Sequence, residues 1–374
     1  MASFCRARPI LLLAFSLCFY GFWNINFIPL LIFSALVDYT VALNFRKVAF
    51  HRRKWLLVIS VVTNIGLLIY FKYLYFLVDN ASFVASALGL GELSVAWDII
   101  LPLGISFYTF QTVSYTVDCY RKVIEPEKNP VVYFTYVTFF PQLVAGPVLR
   151  AAEVIPQIKT SASPSMVQIF GGMQRILFGL FLKVVIADNI ATFVDIGFST
   201  PTADLSALDV WTLAFLFGFQ IYFDFSAYSH IAIGTAKVLG FNFPENFNFP
   251  YIARSPKDFW QRWHISLSSW IRDYLYLPLT GDKFARQSTG GLGVAATKNN
   301  KDAALFASWI IMGLWHGANW TFVIWGLYHS VVIFIARKIS VPFRVLREGN
   351  CRRYLGSAVT IPVMMLGWIP FRAE

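Results

Sequence analysis

Long apolar runs, each bounded by charged or polar segments, decide what this chain is able to fold into. They cover Ile10 to Trp23, Phe27 to Phe45, Trp55 to Val78, Ile99 to Val117, Met166 to Ala187, Trp211 to Leu239 and Trp320 to Ala336. A helix rises about 1.5 Å per residue and the hydrocarbon core of a bilayer is about 30 Å thick, so most of these runs are long enough to cross it. The chain is 57% hydrophobic and 14% charged, where soluble domains carry about 25% charged residues. That much apolar surface does not fit inside a water-soluble core, and lipid is the expected solvent. The fold class is therefore an all-α polytopic membrane protein, organised as a single membrane-embedded domain over residues 1–374.

The net charge of +11 would suggest nucleic acid in a soluble protein. Here the Lys and Arg gather in 46–54, 282–302 and 337–353, whereas 79–98 and 188–209 hold acidic residues and no Lys or Arg. Excess basic residues mark cytoplasmic loops. The first set is expected inside and the second outside, with no nucleic-acid partner. Arg6 and Arg8 before the first run imitate a signal peptide, but no small-x-small cleavage site follows, so that helix is expected to be retained. The stretch Val131 to Leu149, interrupted by Pro141, Gly146 and Pro147, reads as a re-entrant element. Between Ser255 and Tyr276 apolar residues recur at helical spacing, which predicts an amphipathic helix at an interface or in a bundle. The four cysteines, Cys5, Cys18, Cys119 and Cys351, form no metal-type spacing; neither a disulfide nor a metal site is expected. There is no Walker loop, dinucleotide fingerprint or paired-carboxylate signature.

The stretch Trp309 to His329, WIIMGLWHGANWTFVIWGLYH, reads as a helical hairpin interrupted at His316-Gly317-Ala318-Asn319. Its first limb, Ala303 to Trp315, rises only about 20 Å, so it places His316 at membrane depth or near the far face. An ionisable group at that depth is expensive and points to function; its alternative is a ring that ties two helices together. Of the other four histidines, His51 sits in a basic, solvated segment. His230 follows Asp224 and Tyr228, which share a helix face and suit a buried polar network. His329 lies in the second limb, in a packing or supporting role. His264 falls in FWQRWHISLSSWIRDYLYLPLTG. Two histidines without a Ser or Cys nucleophile suit direct acyl transfer, in which one imidazole takes the proton of an attacking hydroxyl and the other orients the reactants or donates to the oxyanion. A proton-coupled transporter also places His and Asp in the membrane.

The phrases LPLGISFYTFQTVSYTVDCYR, FFPQLVAGPVLR, FQIYFDFSAYSHIAIG, NFNFPYIARSPKDFWQRWHISLSSWIRDYLYLPLTG and LWHGANWTFVIWGLYHS occur in that order. They resemble the membrane-bound O-acyltransferase family, in particular its bacterial alginate O-acetylase branch, from about Phe27 to the end of the chain. The resemblance implies tilted and re-entrant helices around a central external funnel and cytoplasmic tunnel. It also implies a catalytic His316, with His264 as the second signature position. Relative to that branch the chain looks shortened at its C-terminus and short of a first helix. Trp315, Asn319, Trp320, Asp224 and Tyr228 are the expected substrate-binding positions, with Gly317 leaving room beside the imidazole for a substrate chain.

The resulting expectation is an O-acyltransferase of the cytoplasmic (inner) membrane. It would move acetyl from a thioester co-substrate, acetyl-CoA or an acyl carrier, toward hydroxyls of an exported polysaccharide such as alginate, with no tightly bound cofactor. Its partners would be the lipid bilayer, the polysaccharide or a periplasmic acetyl-relay protein, and other polysaccharide-modification proteins. The rivals are transfer of another acyl group such as D-alanyl, a lipid or protein acceptor, and a transporter or inactive scaffold of an export complex.

Overall fold

The computed structural model describes residues 2–143, 146–160, 163–281, 300–339 and 350–373. Most of the polar stretch expected inside at 282–302 lies outside the described residues, as does 340–349. The described chain is helical with no strand among the described residues, and it groups into two compact units, Met1–Ser163 and Pro164–Glu374. Six helical stretches among the described residues are long and apolar enough to cross a membrane: Ala7–Asn44, His51–Ala87, Met166–Ser199, Ala207–Val238, Trp320–Ile339 and Tyr354–Arg372.

The first unit holds α1 (Ala2–Asn24), α2 (Ile28–Asn44), α3 (Phe50–Leu68), α4 (Leu74–Ala87), α5 (Ile105–Tyr120), α6 (Pro130–Thr138), α7 (Phe140–Leu143) and α8 (Ala151–Lys159). A single 3-10 turn, Ile25–Phe27, separates α1 from α2, where the Asn24 side chain accepts the Asn26 amide and Pro29 opens the next helix. The Val131–Leu149 stretch is indeed broken: α6 stops before Phe139, and α7 is a single turn. The third apolar run outlasts the expected Val78 and stays helical to Ala87 through a π-helical turn at Ile69–Tyr73.

Helix α5 starts at Ile105, later than expected, and is buried along almost its whole length. Its partner contacts are partly polar. Asp38 of α2 is fully buried and accepts from Ser60 and Asn64 of α3 and Thr116 of α5, the last two at 2.6 Å. Asn64 in turn accepts from Ser34 at 2.7 Å. Three donors offset the cost of removing the carboxyl group from water.

The second unit holds α9 (Met166–Phe181), α10 (Asp188–Ser199), α11 (Ala207–Val238), α12 (Pro256–Trp260), α13 (Ile265–Ile271), α14 (Leu277–Thr280), α15 (Asn300–His316), α16 (Trp320–Ile339), α17 (Asn350–Leu366) and α18 (Trp368–Arg372). A π-helical turn joins α9 to α10, so part of the expected external loop 188–209 is helix. Helices α9 and α11 pack at backbone distance. A Cβ on Gly234 would lie 2.7 Å from the Gly172 carbonyl oxygen, and one on Gly172 the same distance from that of Gly234. Small residues at a crossing of this kind are how apolar helices gain contact when lipid offers no hydrophobic drive between them.

The single amphipathic helix expected at 255–276 is absent. Ser255 caps α12 by accepting the Asp258 amide at 3.1 Å, with Pro256 in the first turn. The helix then stops at Trp260, and His264 takes the left-handed conformation at φ 42°. The backbone is captured elsewhere: the Asn248 amide donates to the Arg262 carbonyl and the Ile265 amide to the Asn246 carbonyl, both at 2.9 Å. Helical periodicity continues across this break, but the Arg262 carbonyl and the Ile265 amide are paired to the preceding segment.

The α9–α11 crossing predicts a stability difference between matched substitutions. Gly234→Ala should cost about 1–3 kcal/mol through overpacking against backbone atoms. Gly66→Ala, where nothing lies within 4 Å of the new methyl, should cost nothing. Thermal melting of the two detergent-solubilised variants beside the wild type checks this; equal melting temperatures for both would contradict the crossing.

Candidate active site

Helices α15 and α16 form the hairpin expected from sequence. Lys338 Nζ lies 3.5 Å from the Asp302 carboxylate at its open end. The limbs touch closely: a Cβ on Gly326 would meet the Trp309 carbonyl oxygen at 2.3 Å. Helix α15 ends at His316, and Asn319 accepts the Thr321 amide at 3.2 Å to start α16. The turn therefore leaves His316 at a helix end, where its ring is held by other aromatic rings. Trp315, Trp325 and Phe371 lie 4.8, 5.1 and 5.0 Å from it, centroid to centroid, in edge-to-face arrangement.

The break at residues 261–264 brings His264 to the same place. Trp315 contacts both imidazoles, at 4.8 Å from His316 and 6.4 Å from His264, and His264 lies within electrostatic range of His316. Phe225 of α11 packs edge-on to His264 at 4.6 Å, and Phe247 stacks at 6.4 Å. The ring is 2% exposed. Its Nδ1 is 3.1 Å from the Asn246 side-chain oxygen.

A third imidazole joins them. His329 is fully buried and lies within electrostatic range of His316. Trp260, Trp309, Trp325 and Tyr328 surround it at 4.8–5.6 Å, and neither of its ring nitrogens has a hydrogen-bond partner among the described residues. Trp325 separates it from His316. Histidine spacing in the sequence, His316 and His329 on opposite limbs of one hairpin, was the available signal. Asn246 left none, because NFNFP reads as an ordinary polar loop.

The remaining expected residues are arranged less uniformly. Trp315 is buried beside the imidazoles, but Trp320 is 57% exposed. Asn319 serves as the helix cap just described. The space beside Gly317 is filled: a Cβ there would meet the Phe322 ring at 2.0 Å, so Phe322, rather than a substrate chain, requires the glycine. Asp224 is not enclosed with Tyr228. It pairs with Lys183 at 2.6 Å, which also meets Asp188 at 2.8 Å, while Tyr228 is 45% exposed. His230 packs edge-on against Phe178 at 5.0 Å, near the Arg175–Glu245 ion pair. His51 is exposed in the first turn of α3.

A cavity of about 470 Å³ opens next to this cluster. Ile265, which follows His264, lines it, as does Trp260, whose ring touches His329. Three cationic side chains, Lys257, Arg272 and Arg337, share its wall with Ser268, Ser269 and Ser308. The site thus joins buried imidazoles, an aromatic shell and a basic, hydroxyl-rich approach, all within the second unit.

The family described as MBOAT, membrane-bound O-acyltransferase, matches residues 127–369, which include both His264 and His316. A probable alginate O-acetylase of Azotobacter vinelandii is 37% identical over 372 residues, 99% of this chain and 70% of that protein. A peptidoglycan O-acetyltransferase of Helicobacter pylori is 35% identical, over 96% of this chain and 70% of its own. A teichoic acid D-alanyltransferase of Bacillus subtilis is 30% identical over 63% of this chain and 59% of that one. With six membrane-length helices and this family match along most of its second unit, the chain belongs to the membrane-bound O-acyltransferase family and is a multi-pass membrane O-acyltransferase.

Proposed function

We propose that this enzyme transfers an acetyl group from a cytoplasmic thioester toward hydroxyls of an exported, alginate-like polysaccharide, and that it resides in the inner membrane. The observation that carries the reading is the graded exposure of the imidazoles. His316 is partly accessible, whereas His264 and His329 lie buried behind it. The reachable ring is His316, so it takes the proton of the acceptor hydroxyl. The hydroxyl oxygen then bonds to the thioester carbonyl carbon, the carbon–sulfur bond breaks, and the proton passes to the departing sulfur. The products are an ester and a free thiol. The acetyl choice rests on the names of the relatives with the greater coverage; whether the ester forms directly on sugar or through a relay protein concerns the acceptor side.

The basic cavity supports the donor side of this reading. Coenzyme A and acyl-carrier arms present phosphates next to an apolar or amide-bearing chain ending in sulfur. Lys257, Arg272 and Arg337 supply the cations for such a head, and Ile265 and Trp260 lead from them to the imidazoles.

Loss of the base typically lowers a rate about 10²–10⁴-fold. His316→Ala should therefore remove most acetyl from the exported polysaccharide at unchanged membrane level, and His51→Ala should remove none. Ester content per cell beside immunodetected protein gives the answer, and full acetylation by His316→Ala would turn the chain into a scaffold of an export complex.

The donor assignment makes a separate expectation for purified enzyme. Each charge-assisted contact to a phosphate is worth about 1.5–3 kcal/mol, so Lys257→Gln combined with Arg337→Gln should raise KM for acetyl-CoA by at least about tenfold. The rate at saturating donor should change little. An unchanged donor KM would remove the cavity from the donor path.

A further inference from the structure

The environment of His264 specifies more than its position. Asn246 is fully buried in the segment between α11 and α12. Its side-chain oxygen receives the Ser266 hydroxyl at 2.8 Å and the Ser266 backbone amide at 3.3 Å. A backbone N–H only donates, so the oxygen of the Asn246 amide is the atom that faces Ser266 and His264. Its nitrogen donates to Ser229 on α11 at 3.0 Å, which fixes the amide orientation from the other side. The Asn246 main-chain carbonyl accepts the Ile265 amide at 2.9 Å, closing a second clamp around the left-handed His264.

An oxygen acceptor at 3.1 Å from His264 Nδ1 has one consequence for a neutral imidazole: Nδ1 carries the hydrogen and Nε2 carries the lone pair. That Nε2 is buried and meets no hydrogen-bond partner among the described residues. Its neighbours Phe225, Phe247 and Trp315 offer no charge. The titratable group acting on it is His316.

We propose that Asn246 is a positioning residue for acyl transfer, holding His264 in its Nδ1–H form and leaving the Nε2 lone pair bare beside the Trp315 ring that also touches His316. In this form neutral His264 does not donate to a developing oxyanion. It supports the proton instead. When His316 takes the hydrogen of the acceptor hydroxyl, the new positive charge lies within electrostatic range of the neutral His264, whose Nε2 lone pair is bare and whose Nδ1–H is held by the Asn246 oxygen. The proton leaves His316 on the sulfur of the departing thiol. This step rests on the acyl-transfer reading above; the tautomer itself does not.

The tautomer is read directly from the nitrogen resonances of isotope-labelled histidine in the full chain in lipid nanodiscs, with His264 assigned by its absence in His264→Gln. A protonated Nδ1 and a bare Nε2 are expected in the wild type with no substrate present. A hydrogen on Nε2 of the neutral ring would overturn the proposal whatever the enzyme's substrate. Two variants then test the role. Asn246→Leu should release the ring to the other tautomer and lower acetyl-CoA-dependent transfer about 10²-fold. Asn246→Asp keeps an oxygen acceptor beside Nδ1. It should retain more transfer than Asn246→Leu and move the acid limb of the pH–rate profile up by roughly one unit, because a carboxylate favours the protonated imidazole more than an amide does. Equal loss in both variants with an unshifted acid limb would assign Asn246 a packing role only. If either variant fails to fold, the wild-type spectrum still decides. If the wild type transfers no acyl group, the functional reading fails while the tautomer result stands.

Discussion

Backbone amides that leave a helix need partners inside the protein when lipid is the surrounding solvent. The segment between α11 and α13 meets that constraint through Asn246 and Asn248, which pair with Ile265 and Arg262. The pairing ends α12 after one turn and forces His264 into the left-handed region, a conformation uncommon for residues other than glycine. Strain of this kind persists where surrounding contacts over-determine it. Here those contacts run to Ser229 on α11 and Ser266 on α13, so a few buried hydrogen bonds align the loop, the long helix and the imidazole together.

The aromatic shell follows from the same need. A charged group in an apolar interior is costly, whereas a neutral imidazole is much less so. Three imidazoles packed against indole and phenyl rings therefore sit where a lasting charge is costly. Aromatic faces near a cation lower the cost of a transient charge. Trp325 holds the shell together: it is 1% exposed and packs on His316, His329 and Phe371.

Much of this was readable from apolar run lengths and ordered motifs. Phe27–Phe45 anticipated α2, Trp211–Leu239 anticipated α11, and the short limb ending at Trp315 anticipated a hairpin with His316 at its turn. The rest depended on contacts that periodicity does not carry. The spacing of apolar residues from 255 to 276 is helical, yet the break at His264 is set by the Asn248 amide and the Asn246 carbonyl of the preceding segment. Gly317 suggested open space, and only the packing shows Phe322 in it. Asp224 suggested a partner on its own helix face, but its counter-ion is Lys183, placed there by a π-helical turn in the neighbouring helix. His329 offered a choice between packing and function that burial alone does not resolve, since it is both fully enclosed and near His316.

The order of burial then explains why one histidine motif does not suffice. The imidazole at the end of α15 packs against the rings of Trp315, Trp325 and Phe371. His264 adds a bare lone pair beside the Trp315 ring, and that lone pair exists only because an amide oxygen, rather than an amide nitrogen, faces Nδ1. The oxygen faces it because the Ser266 amide belongs to the first turn of α13 and points back toward Asn246, as the free N–H groups of a helix start do. The orientation of the His264 ring is thus coupled to where α13 begins. That start is fixed by the His264 break, so the irregular backbone that disrupts the helix pattern is also what sets the His264 ring against the Asn246 oxygen.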